Sequence, residues 1–194
     1  MKHSAALVLL VVSALATLGA QAQKPSSSTQ SRASSPQQQF VTVEPLDGVV
    51  NFAHVETTVA CGGATRPEAV AELKKMGFVS IFNLREASEP DANIEAEAAA
   101  AKAASMRFFH IQFNGQSPDA RVVDQFLDAI TSPGAQPAFI HCQAGNRAAT
   151  MWAAKRLVVD RWNEERTMRE AGPLGLTSPR LREFVLEYAR THKR

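Results

Sequence analysis

An α/β fold with a mostly parallel central sheet flanked by helices is what this sequence predicts. A short β-like run near residues 55–60 and hydrophobic runs at 78–84, 108–113 and 138–141 read as strands. Stretches with helical periodicity separate them, so the strands run mostly parallel and helices cover both faces. The 194 residues suit one domain plus extras.

The elements follow in order. Residues 55–60 form a β-like run that ends at Gly62-Gly63. Thr65 can cap a helix, with Pro67 in its first turn and Glu68 three residues after the cap. That helix sets Ala69, Val70, Leu73 and Met76 on one face and stops at Gly77. Residues 78–84 are a buried strand, and a polar loop, 85–91, leads into an Ala-rich helix over 92–105. Residues 108–113 are the next strand. Ser117-Pro118 opens a helix carrying Val122, Val123, Phe126, Leu127 and Ile130, and Pro133-Gly134 ends it. Residues 138–141 are another strand, a long helix covers 146–159, and two further helical stretches, 164–171 and 179–191, finish the chain. In such sheets the site lies at the carboxyl ends of the strands. Loops 62–66, 85–91 and 142–147 are thereby brought together, with 112–119 as a fourth.

The 21 basic and 19 acidic residues nearly cancel. That balance gives no electrostatic footprint for nucleic acid, so any anion specificity must be local. Before the domain, Lys2, an uncharged apolar run over 5–18 and Ala20-Gln21-Ala22 read as a signal peptide, residues 1–22, cut after Ala22. The expected location is therefore periplasmic or secreted. Residues 23–39, rich in Ser, Gln and Pro, read as a disordered linker, and 40–194 as the folded domain. No later segment is long and apolar enough to span a membrane. The five histidines form no metal-ligand spacing with Cys, Asp or Glu, so neither a metal nor another cofactor is expected. The two cysteines, Cys61 and Cys142, are too few for a disulfide framework. Oxidation could still link them, since both are placed at the same sheet edge.

Chemistry concentrates in His141-Cys142-Gln143-Ala144-Gly145-Asn146-Arg147. A buried strand ends at a cysteine, a short loop with a glycine follows, and a helix begins at an arginine. Backbone N–H groups of such a loop point inward, and the helix N-terminus adds positive potential. A thiol so placed is expected to ionise near neutral pH. Arg147 can bind two oxygens of a tetrahedral anion in its planar fork. Nucleophile and anion cradle share one loop.

His141-Cys142-x-x-Gly145-x-Arg147 resembles the phosphate-binding loop of cysteine-dependent protein tyrosine and dual-specificity phosphatases. It is most similar to the small bacterial branch with a shortened loop, the β-lactamase-hydrolase-like phosphatases. Gly62-Gly63-Ala64-Thr65-Arg66-Pro67-Glu68 resembles the family's turn before its first helix, and Asn83-Leu84-Arg85 its segment after a strand. The resemblance covers about residues 49–194. It implies the protein tyrosine phosphatase-like sandwich and hydrolysis of a phosphate monoester through a cysteinyl-phosphate. It also implies that Cys142 is the nucleophile, that Arg147 and the loop Gln143, Ala144, Gly145 and Asn146 bind the phosphoryl group, and that His141 orients the loop. The partner is then a phosphorylated protein or a small phosphoester.

Three features depart from the family pattern. Four residues, not five, separate Cys142 from Arg147, a spacing shared with rhodanese-like sulfurtransferases. Ala148 stands where a Ser or Thr usually helps the sulfur leave, which implies slower turnover. No Trp-Pro-Asp general-acid loop is present, and Asp119 is the nearest upstream carboxylate, with Asp91 a second candidate. Asp119 also suits the first turn of a helix. A sulfurtransferase and a catalytically weak phosphoanion-binding protein remain the alternatives.

Overall fold

The computed structural model describes residues 41–55 and 57–192. The expected signal peptide and linker, residues 1–39, lie outside them, as does Phe40.

Among the described residues six strands form one sheet: β1 (Val41–Val43), β2 (Ala53–Val55), β3 (Val59–Gly62), β4 (Ser80–Asn83), β5 (Arg107–His110) and β6 (Ala138–His141), in the order β1-β2-β3-β6-β4-β5. The β3-β6-β4-β5 block is parallel. At its edge β1 and β2 pair antiparallel, so the sheet is mixed. The single run expected over 55–60 is in fact two strands. The chain reverses after Val55, where Thr58 N–H donates to the Val55 carbonyl at 2.9 Å. Thr57 and Thr58 of the turn are β-branched, so the content of a strand continues through the hairpin and the two strands read as one run.

Register fixes where the site is. Gly62 is level with His141, His141 with Asn83, and Asn83 with His110. All four parallel strands therefore end at one edge, and the loops after them converge there, as the sequence reading required.

Alternation along the strands separates two hydrophobic cores. Ala60, Ile81 and Phe139 face one side with Val70, Leu73 and Ala101. These come from α1 (Val70–Lys75), entered through a 3-10 turn at Pro67–Ala69, and α2 (Ile94–Ala103). Cys61, Phe82, Ile140 and Cys142 face the other side with Phe126 and Trp152. That layer comprises α3 (Ala120–Ile130), α4 (Asn146–Ala154), α5 (Glu164–Ala171) and α6 (Pro179–Thr191).

Four boundaries differ from expectation. Thr65 is not a cap: its hydroxyl donates to the Gly63 carbonyl, and Arg66 occupies the cap position. The third helix starts at Ala120, with Asp119 as its cap, not at Ser117-Pro118. The β5 ladder stops at His110, although Ile111 and Phe113 still donate to Asn83 and Leu84. The long helix over 146–159 changes to a π-helical turn at Lys155–Val159. There Lys155 and Arg156 are buried, bonded to Asp160 and, for Arg156, also to Glu170. Among the described residues no helix is long and apolar enough to cross a membrane.

Candidate active site

Cys142 follows directly on β6, buried, and its amide donates to the Gly62 carbonyl at 3.2 Å. The next two peptides are turned by bonds on their outer side. The Gln143 carbonyl accepts from Ala64 N–H at 2.9 Å, and the Ala144 carbonyl from Asn51 Nδ2 at 3.2 Å. In a planar trans peptide the N–H points away from the carbonyl. Binding the carbonyls outward therefore turns the N–H groups of Ala144 and Gly145 toward the thiol. Gly145 N–H reaches Cys142 Sγ at 3.2 Å.

Two glycines allow this turn. Gly145 has φ 100°, a left-handed conformation that side chains resist. Gly63 lies so close to the loop that a Cβ there would sit 2.6 Å from the Gln143 carbonyl oxygen.

Arg147 begins the helix side of the loop and is held from three directions. Its Nη1 donates to the carbonyls of Leu84 and Phe113, at 3.3 and 3.0 Å. Glu89 grips it in a fork, at 2.6 Å to Nη1 and 2.9 Å to Nη2. Burial opposes the guanidinium charge, but Glu89 and the Cys142 sulfur offset this and raise its pKa above the ordinary value. Burial likewise works against the Glu89 carboxylate. Hydrogen bonds from Arg147, the Glu86 backbone and Arg85, with the charge of Arg147, overcome it and lower the Glu89 pKa to about 2.

Arg85 anchors the loop that carries Glu89. It is buried, donates to Glu89 Oε2 and the Asp91 carbonyl, and makes a close contact with the Pro90 carbonyl. Asp91 turns that loop with φ 54°. A cavity of about 320 Å³ lies beside it, lined by Val49, Val50, Ala64, Arg66, Asp91 and Asn93 among others.

The other expected site residues divide. Gln143 and Ala144 are exposed on the loop. The Asn146 side chain is used as a clamp: Oδ1 accepts from the amides of Thr177 and Ser178, at 2.8 and 2.7 Å, and Nδ2 donates to Thr177 Oγ1 at 3.1 Å. Only its backbone is placed to serve an anion in the loop. Asp119 caps α3 by accepting from Arg121 N–H, and it pairs with the Arg121 side chain at 2.7 Å. The hydrogen bonds from Arg121 lower its pKa. Ala148, Met151 and Trp152 are fully buried. Cys61 and Cys142 are both free thiols. Among the described residues no group of His, Cys, Asp or Glu is gathered as a metal site.

Sequence reasoning missed Glu89, which stands 58 residues before the arginine it holds. The available signal was its place in the polar loop after β4, at the same sheet edge as Cys142. Also missed was Glu97, which contacts His141.

The family model described as "DSP-PTPase phosphatase fused to NAD+ Kinase" matches residues 33–183. Among curated proteins no match was found. Solved structures agree in fold. A DUF442 protein from Shewanella putrefaciens CN-32 superposes with TM-score 0.63 at 22% identity, over 77% of this chain and 97% of its own. TpbA of Pseudomonas aeruginosa gives 0.60 at 16%, over 81% and 92%. The catalytic core of the PP-IP phosphatase Siw14 from Saccharomyces cerevisiae gives 0.59 at 19%, over 76% and 88%. At these identities the structures attest the fold, and the family match attests the lineage. The chain belongs to the DSP-PTPase family of cysteine-dependent phosphatases, which are phosphoric monoester hydrolases.

Proposed function

We propose that this protein is an exported phosphatase that cleaves a phosphate monoester through a phosphocysteine at Cys142. The observation that carries the reading is the Gly145 N–H directed at Sγ from within a loop whose carbonyls are bound outward. Such a loop binds an anion at the sulfur.

The Cys142 thiolate attacks phosphorus, and the S–P bond forms as the bond to the ester oxygen breaks. Arg147 and the amides of the loop, from Gln143 to Arg147, take the charge on the non-bridging oxygens. The leaving oxygen takes a proton from water or from Asp119, which must first release Arg121. Water then attacks phosphorus, the S–P bond breaks, and inorganic phosphate leaves with the thiolate restored. Ala148 offers no hydroxyl to the departing sulfur, so this second step falls to Gly145 N–H and limits turnover.

The substrate is a phosphorylated protein or a small phosphoester. A structure of TpbA holds phosphotyrosine, which makes phosphotyrosine the first class to try. Export rests on residues 1–22, and a mature chain beginning at Gln23 is its signature. Assays with para-nitrophenyl phosphate, and with thiosulfate and cyanide, test the activity side by side. Hydrolysis of the first and no thiocyanate from the second supports the phosphatase; the reverse makes the protein a sulfurtransferase.

A further inference from the structure

One buried cluster outside the phosphate loop is not used by that chemistry. Glu97, Asn83 and His141 are all fully buried. Asn83 and His141 are level neighbours at the ends of β4 and β6. Both meet Glu97, in the first turn of α2. Asn83 Nδ2 donates to Glu97 Oε2 at 2.7 Å. His141 Nε2 is 3.1 Å from the same oxygen and hydrogen-bonded to it; it is also 2.9 Å from Oε1, which takes no well-angled hydrogen bond.

Each partner leads into one half of the site. Asn83 Oδ1 accepts from Arg85 N–H at 2.8 Å, at the root of the loop that brings Glu89 to Arg147. The His141 carbonyl accepts from Leu84 N–H at 2.9 Å, and the next residue is Cys142. His141 points to the α1–α2 side, stacked on Phe139 at 5.4 Å, while Cys142 faces the opposite core.

A buried carboxylate without enough donors is costly, so nothing in packing alone favours one here. The first turn of α2 supplies positive potential for it. Oε2 already accepts from Asn83 Nδ2, and the hydrogen of the second contact is assigned to His141 Nε2. That leaves Nδ1, buried without a partner among the described residues, as the bare nitrogen. A bare lone pair is a smaller loss there than an unmatched N–H.

We propose that Glu97 is a positioning residue: it ties the end of β4 to the end of β6, and so fixes Cys142 relative to the Glu89–Arg147 pair. This rests on Cys142 being the nucleophile. Misplacing reacting groups by about 1 Å can cost about 10²-fold in rate. The other charged groups at these strand ends are Arg85 and Glu89, paired with each other and with Arg147. None of them contacts Glu97 in the way His141 does.

The test uses the full chain with Glu97→Gln, His141→Asn and the double variant. Hydrolysis of para-nitrophenyl phosphate is normalised to the Cys142 that iodoacetamide labels. The expected result for Glu97→Gln is kcat lowered by about 10- to 100-fold with KM within about threefold. The double variant should be no slower than the slower single one, because both act through one contact. A wild-type kcat in Glu97→Gln, or losses that multiply in the double variant, overturns the proposal. A third readout needs no variant to fold: imidazole nitrogen spectra of the wild type should place a proton on His141 Nε2. A bare Nε2 overturns the proposal. Absence of hydrolysis by the wild type, or full activity in Cys142→Ser, counts against the phosphatase reading; the tautomer, read without turnover, still decides the contact.

Discussion

Two cysteines lie on one face of the sheet, Cys61 on β3 and Cys142 just past the end of the neighbouring parallel strand β6, and the chain treats them oppositely. Cys61 on β3 pairs in register with Ile140, two residues before Cys142. Both are buried in the same core. Burial pushes the Cys61 thiol pKa well up, and the sulfur of Cys142 and the charge of Glu170 add to this. It is a small apolar residue at the end of a strand. Cys142 lies just past the end of its strand, where the backbone leaves the ladder. It meets an amide N–H at 3.2 Å and an arginine held in place by a carboxylate. Burial does not separate the two thiols. The difference is a loop of inward amides and one guanidinium, present after β6 and absent around β3.

The largest expected effect comes from removing the sulfur that has the loop. Cys142→Ser should abolish phosphate-ester hydrolysis and leave the fold intact, checked by activity and circular dichroism together. Retained hydrolysis would break the contrast at once. Next comes the cation. Arg147→Lys keeps the charge but loses the planar fork, and kcat/KM for para-nitrophenyl phosphate should fall by at least about 10²-fold. A loss under tenfold would show that the amides alone distinguish Cys142 from Cys61.

Glu89→Gln tests what holds the cation. It should lower kcat/KM by up to about 10²-fold by releasing Arg147. It should also change stability against acid. The Glu89 pKa is about 2 in the folded chain, below the ~4.3 of an unperturbed glutamate. Its contribution is therefore complete above pH ~4.5 and is lost as pH falls toward ~2. Thermal melts between those limits should be flatter for Glu89→Gln than for the wild type.

The phosphate loop was legible because nucleophile, glycine and arginine lie within seven consecutive residues, 141–147, and a local backbone turn needs no distant partner to be recognised. The strand ends were legible for a related reason, since parallel strands with helical crossovers put their following loops at one edge. The partners of the loop were not. Glu89 reaches Arg147 across 58 positions, and Glu97 reaches His141 across 44. Each is one carboxylate among 19 acidic residues, and only the sheet order brings it to its target. The β2–β3 hairpin was hidden differently: the polar Glu56-Thr57-Thr58 between Val55 and Val59 marks the turn, but threonine is also a strand former, so the stretch reads as one run.

Smaller effects sharpen the contrast from the other side. Cys61→Ala should leave kcat within twofold and lower stability by about 1 kcal/mol, read by urea denaturation. Iodoacetamide on the native protein should label Cys142 and spare Cys61. Asp119→Asn should have the least effect on a substrate with a good leaving group, because its carboxylate is engaged with Arg121. A large loss confined to alkyl phosphates would instead identify it as the proton donor.

Trapping the covalent intermediate tests the central claim most directly. The wild-type protein is mixed with para-nitrophenyl phosphate, quenched with acid within the first turnover, and its peptides are weighed by mass spectrometry. The account predicts a phosphoryl group on the peptide containing Cys142, none on the peptide containing Cys61, and accumulation of that species because its hydrolysis limits turnover. Release of nitrophenol at full rate with Cys142 never phosphorylated would contradict it.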